Sequence, residues 1–423
     1  MYPSIFLKAL CLNLVFVLVV SVAGSTFAAD LTVAEAEQLA LKNDDMLRSF
    51  SARSASMTEL AVVSEKLPDP QLKLGFANLP TDTFNLGQEP MTQAVIGVRQ
   101  QFPRGHTRSL NSARVLESQG RIDAETLDYQ HKIKLAVRES FTQIYLQQQR
   151  QVILEQSLVV FADLAQITED YYSTGRSHQH DVVQAQLELS RFQERLSRVQ
   201  QQEAEARARL SERLGADAYR PFVTDWPNPG QPAAREQIIA GLEKHPRMIA
   251  WQHEISKAKT SEEIARQAYK PGFAVDLAYG GRGGNNPDGT DRTDFVSVFV
   301  TMDIPLFTKN RQDRVLASSI SETSATEFAR DDIYRSMKAS VEQNFATLER
   351  EQQRLELYEN TLLQQAEFNA EAAFEAYQDA VGDLTTLMRA RIGEFELKLD
   401  HVALQADEIL TRSRLLYLQG ESS

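Results

Sequence analysis

Across residues 308–381 the chain has neither Pro nor Gly, and its apolar side chains return every three or four positions. Leu316, Ile320, Ile333, Met337, Val341, Phe345, Leu348, Leu355, Tyr358 and Leu362 make most of one stripe, with charged and amide residues on the other faces. At 1.5 Å per residue this predicts a rod of roughly 110 Å, about three times the width of a small domain. Such a rod cannot bury its stripe in an ordinary globule and must lie along other long helices. Residues 107–174 supply one of similar length, without Pro and with Gly120 as the single Gly.

Elsewhere the period switches to two. Gln71-Leu72-Lys73-Leu74-Gly75-Phe76 alternates as a strand does, and 92–102 puts Ala94, Ile96, Val98 and Gln100 on one face. Residues 273–279 read as a strand. In 295–304, Phe295, Ser297, Phe299 and Thr301 share one face, and Val296, Val298 and Val300 the other. Prolines punctuate both halves alike. Pro68 matches Pro271 at an offset of 203, Pro103 matches Pro305 at 202, and Tyr172/Tyr377 and Ala185/Ala390 match at 205. The order helix, strand, strand, long helix, return helix therefore occurs twice.

The first repeat spans 29–220, with strands at about 70–80 and 91–102, a long helix at 104–174 and a return helix at 180–216. A proline-rich equatorial linker covers 221–233. The second repeat spans 234–423, with strands at about 272–280 and 293–304, a long helix at 307–380 and a return helix at 384–418.

Residues 1–28 read as a secretory signal: Lys8, an apolar run over 9–22, and Thr26-Phe27-Ala28 before the expected cleavage point. The run falls short of the roughly 20 residues a spanning helix needs, which weighs against a membrane anchor. Cys11, the only cysteine, lies inside it, so the mature chain is expected to be cysteine-free and without disulfides. No later segment is long and apolar, so any membrane insertion must use strands. The net charge of −13 argues against a nucleic-acid partner.

Four strands cannot close a membrane barrel; the small ones have about eight. Strands of roughly ten residues do cross a bilayer when tilted. Phe76, Phe102, Tyr279 and Phe295 lie near the strand ends, where aromatic rings favour the headgroup level. If these strands span a membrane, several copies must share one barrel, with the long helices projecting together as a tube.

The arrangement resembles the TolC family of outer-membrane efflux channels over essentially the whole mature chain. The resemblance is carried by the duplicated architecture, Leu67-Pro68-Asp69-Pro70 before the first strand, and the Pro103 and Pro305 exits. Its most specific part is Tyr172-Ser173-Thr174-Gly175 followed by Asp181-Val182-Val183-Gln184-Ala185 at the first hairpin tip. It implies a mixed α and β membrane protein of the Gram-negative outer membrane, trimeric, with a periplasmic α-helical barrel fused to a shared 12-stranded β-barrel, four strands per protomer. It also implies a passive duct that docks a periplasmic adaptor and an inner-membrane pump of the resistance-nodulation-division class. The segment 78–93 looks like members that serve heavy-metal pumps.

The family closes its tunnel at the tip. There Tyr172 and Gly175 belong to the hairpin motif, and Asp181 and Tyr377 fall on positions of tip hydrogen bonds. Thr386 and Arg389 stand where a well-studied member has two aspartates, so the acidic gate does not carry over; if Arg389 faces the lumen, three arginines would ring the entrance.

His178-Gln179-His180-Asp181 offers a weak metal site (candidates His178 and His180), more simply read as an exposed polar turn. Gly280-Gly281-Arg282-Gly283-Gly284 lacks the Lys-Ser/Thr of a phosphate cradle and reads as a mobile extracellular loop. Neither a nucleophile–base set nor a nucleotide motif is present, so neither enzymatic activity nor a cofactor is expected. Two alternatives stay open: a duct for drugs or type I protein secretion, and an exported coiled-coil scaffold that never enters a membrane.

Overall fold

The computed structural model describes residues 30–222 and 225–420; the expected signal segment lies outside them. Helices α1 (Val33–Asn43) and α2 (Asp45–Glu65) lead into strands β1 (Gln71–Ala77) and β2 (Gln93–Phe102), then α3 (Thr107–Ser173) and α4 (Gln179–Leu214). The second half has α5 (Arg235–Gly241), α6 (Pro246–Gln267), β3 (Gly272–Gly281), β4 (Phe295–Asp303), α7 (Gln312–Leu357), α8 (Leu363–Gln378) and α9 (Leu384–Gln419).

The single helix expected before the first strand pair is divided. Asp44 ends α1 and caps α2, its carboxylate accepting the Leu47 N–H at 2.9 Å. Pro246 starts α6 at its first position, where a missing N–H costs nothing. The second long rod also departs from an unbroken α-helix. Between α7 and α8, Tyr358–Leu362 forms a π-helical turn, against which His401 of α9 stacks on Tyr358 with ring centroids 6.1 Å apart.

No one core serves these rods. Leu31, Ile133, Val137, Phe141, Leu210 and Leu214 bury together where α1 meets α3 and α4. Further along α3, Phe161 packs with Phe192 of α4 and with Leu387, Met388 and Phe395 of α9. Ile238, Met248, Met337, Val341 and Leu418 join α5, α6, α7 and α9. Spreading burial along the rods is what their length demands, because a rod presents only local neighbours to each turn. Gly120 permits a close crossing of α3 and α6: a Cβ there would stand 2.5 Å from the His253 ring.

The sheet is one four-stranded antiparallel meander in the order β1-β2-β3-β4. Register sets Leu72 beside Val98, Val98 beside Leu277, and Leu277 beside Val298. The outer edges of β1 and β4 pair with nothing among the described residues.

Candidate functional site: the two-faced sheet and the hairpin tips

Period-two alternation and the register sort the sheet into two unlike faces. One carries Leu72, Leu74, Phe76, Ile96, Val98, Phe273, Val275, Leu277, Tyr279, Val296, Val298, Val300 and Met302, and no charged residue. Leu74 is 70% exposed there, as are most of its neighbours to similar degree. An apolar face this continuous and uncovered is far larger than a water-soluble monomer tolerates. No helix among the described residues is long and apolar enough to cross a membrane, which leaves this face as the lipid-compatible surface.

The other face is largely small and polar, with Gln71, Lys73, Gly97, Arg99, Gln101, Ala274, Asp276, Ser297, Thr301 and Asp303, and carries Val95, Phe295 and Phe299 among them. It is the more covered face, with Asp276 only 7% exposed. Lys73 of β1 reaches across β2 to bond Asp276 of β3, and Arg99 approaches the same carboxylate at 3.9 Å. Gly97 lies directly between Lys73 and Ala278 in the register and offers no side chain to obstruct that reach. Below them Arg104 binds the Ala268 carbonyl at 2.9 Å and Asp303 at 3.4 Å, tying the sheet to α6.

The loops at the far end of the sheet, the glycine-rich one included, are joined by arginine side chains. Arg282 donates to the Pro90 and Thr293 carbonyls and stacks over Phe295. Arg292 donates to the carbonyls of Gly87 and Glu89 at 3.1 Å, joining the loops of both repeats.

At the opposite end lie the two hairpin tips. α3 ends on Gly175 with φ +74°, and the Arg176 N–H caps the Tyr171 carbonyl at 2.7 Å. Asp181 then accepts from the His178 N–H at 2.9 Å and from Ser177 Oγ at 3.0 Å, closing the start of α4. The second tip repeats this at the offset of 205, with Ala380 in Gly175's conformation (φ +61°) and Asp383 in His178's place. Asp383 accepts from the Thr386 N–H at 2.8 Å and Thr386 Oγ1 at 3.0 Å, which holds its carboxyl below the usual range.

Within the protomer Asp181 and Tyr377 do not bond each other. The buried Tyr377 hydroxyl lies against Thr168, whose own proton goes to the Leu164 carbonyl. Burial is the chief force pushing the Tyr377 hydroxyl's pKa up; the Thr168 hydroxyl opposes it, and Asp181 and Tyr171 add to it. The tips touch instead through Tyr171 and Tyr377, rings 5.6 Å apart, whereas Tyr172 is exposed. Thr386 and Arg389 are both exposed on α9, and Arg389 makes no ion pair among the described residues. His178 and His180 are exposed as well, and no cluster of three or more His, Cys, Asp or Glu suited to a metal ion occurs among the described residues.

The fold these features build is that of outer-membrane channels. A membrane protein from Pseudomonas aeruginosa superposes with a TM-score of 0.81 at 14% identity, covering 93% of this chain and 91% of that one. The transmembrane channel CusC gives 0.78 at 15% identity over 94% of each chain. VceC, an outer-membrane protein of Vibrio cholerae, gives 0.77 at 14% identity over 92% of this chain and 96% of its own. No family model and no curated protein sequence matches the chain. The architecture implied by the resemblance to the TolC family is thus the architecture of the protomer.

Proposed function

We propose that the chain is a TolC-family exit duct of a Gram-negative outer membrane, a passive conduit and not an enzyme. Three copies pool their strands into a 12-stranded barrel and their rods into a periplasmic tunnel. A periplasmic adaptor and an inner-membrane pump of the resistance-nodulation-division class deliver the cargo. One observation carries this reading: a charge-free apolar face on a sheet with two free edges and too few strands to close. The exported scaffold is disfavoured by the same face, which it has no use for.

Heavy-metal cargo rests on the resemblance of 78–93 alone, and drugs or secreted proteins are the competing cargoes. At the tip, Tyr171 and Tyr377 hold the hairpins of the two repeats together. Three exposed Arg389 side chains ring the aperture and disfavour cations there.

The experiment is membrane fractionation, then gels with and without boiling, then planar bilayers. The expected outcome is an outer-membrane trimer that survives cold detergent and shows discrete conductance steps. Arg389→Ala raises the cation share of that conductance. A water-soluble monomer, stable without detergent, overturns the duct. Gene deletion under metal and drug challenge separates the cargoes.

A further inference from the structure

The sheet's polar face holds a small set of charges whose placement has a consequence for what passes. Within the strands its charged side chains are Lys73, Arg99, Asp276 and Asp303. Asp303, at the helix end of β4, is answered by Arg104. The remaining three come from three neighbouring strands and converge on one carboxylate. Asp276 is almost fully withdrawn, its side chain 10% exposed, whereas that of Lys73 is 49% exposed. The negative charge is therefore covered and the positive one presented. Two cations share one anion, so each protomer shows a surplus of one positive charge at this level of the wall.

Resting on the duct reading above, we infer that Lys73, Arg99 and Asp276 form a charge belt inside the barrel that selects against free cations and for anionic or neutral solutes. The lipid-compatible face must look outward, so this face looks inward. Three copies then set a ring of positive surplus around the lumen. Charges of one sign along a low-dielectric wall raise the local concentration of counter-ions, an effect that fades once salt shortens the screening length. Metal ions would cross this belt most readily as neutral or anionic complexes.

The test uses the full protein in planar bilayers under a potassium chloride gradient at low salt, in an Arg389→Ala background so that the tip ring does not contribute. The expected reversal potential lies on the chloride side. Lys73→Gln removes the exposed cation and lowers the chloride-to-potassium permeability ratio by roughly twofold or more. Asp276→Asn leaves both cations unbalanced and moves the ratio the opposite way. Lys73 is half exposed, so its substitution leaves assembly intact, checked by the unboiled gel band. A cation-selective parent, or a ratio that Lys73→Gln leaves unchanged, overturns the belt while leaving the duct standing. Absence of any conductance step overturns the duct and the belt with it.

Discussion

His245 is 1% exposed and has a neighbour at each ring nitrogen. Its Nδ1 accepts the Arg247 N–H at 3.2 Å, capping α6, and its Nε2–H donates to the Tyr417 carbonyl of α9 at 3.0 Å. Those partners assign the neutral ring with the proton on Nε2. From α3, Asp128 accepts the Tyr417 hydroxyl at 2.8 Å and binds Lys132, and His131 lies edge-on to His245. Burial is the chief force lowering the His245 pKa; His131 and Arg247 add to it, and Asp128 and the Tyr417 carbonyl oppose it. The unfolded chain therefore binds this proton more readily than the folded one. The stability contributed is complete above the ordinary histidine pKa of about 6.5 and is lost as pH falls below it toward the folded value. Thermal melts by circular dichroism are expected to drop between about pH 7 and pH 5, and less steeply in His245→Asn, which keeps a capping oxygen without a titrating group. Equal slopes in the two proteins would refute this. None of it was legible in the sequence, where His245 is one of several scattered histidines. Its partners Asp128 and Tyr417 are far away along the chain, and only the fold brings them together.

Among elements, the hairpin tips show what repetition preserves and what it lets drift. Gly175 and Ala380 hold the same left-handed turn, but only glycine holds it without strain. Ala380→Gly is expected to stabilise the second tip by about 1 kcal/mol, and Gly175→Ala to destabilise the first by about 1–2 kcal/mol. Denaturant unfolding of the detergent-solubilised protein reads both, and a loss of stability in Ala380→Gly would sink the comparison. The rods and strands were legible because their periods of 3.6 and two are local properties. The π turn at Tyr358–Leu362 was not, since Leu355, Tyr358 and Leu362 keep ordinary spacing through it. What marks the place is His401, packed there from another helix. The break at Asp44 was missed for a different reason: an Asp inside a periodic run reads as a surface residue until its carboxylate is seen capping the next helix.

For the whole molecule, the sheet's open margins bear on the proposed assembly. β1 and β4 run antiparallel to each other, so β4 of one copy can continue the meander beside β1 of the next. Within one protomer they are three strands apart, about 14 Å. Cys11 is the chain's only cysteine, which leaves the sheet free for labelling. Leu74→Cys with Val298→Cys, joined by a thiol cross-linker of about 10 Å, too short to span three strands, is expected to give dimer and trimer bands. Monomer alone would rule out a shared barrel. Alternation and proline placement made the four strands of the protomer legible in the sequence. The inward charges were not, because pairing β2 with β3 joins residues nearly 180 positions apart.

Lys73 and Asp276 stand 203 residues apart, the same interval that separates Pro68 from Pro271. They are the same position in the two repeats, now carrying opposite charge. A chain assembled from the first half twice would set lysine against lysine across β2. The halves have thus become complements and no longer duplicates, and neither can substitute for the other on the sheet's polar face.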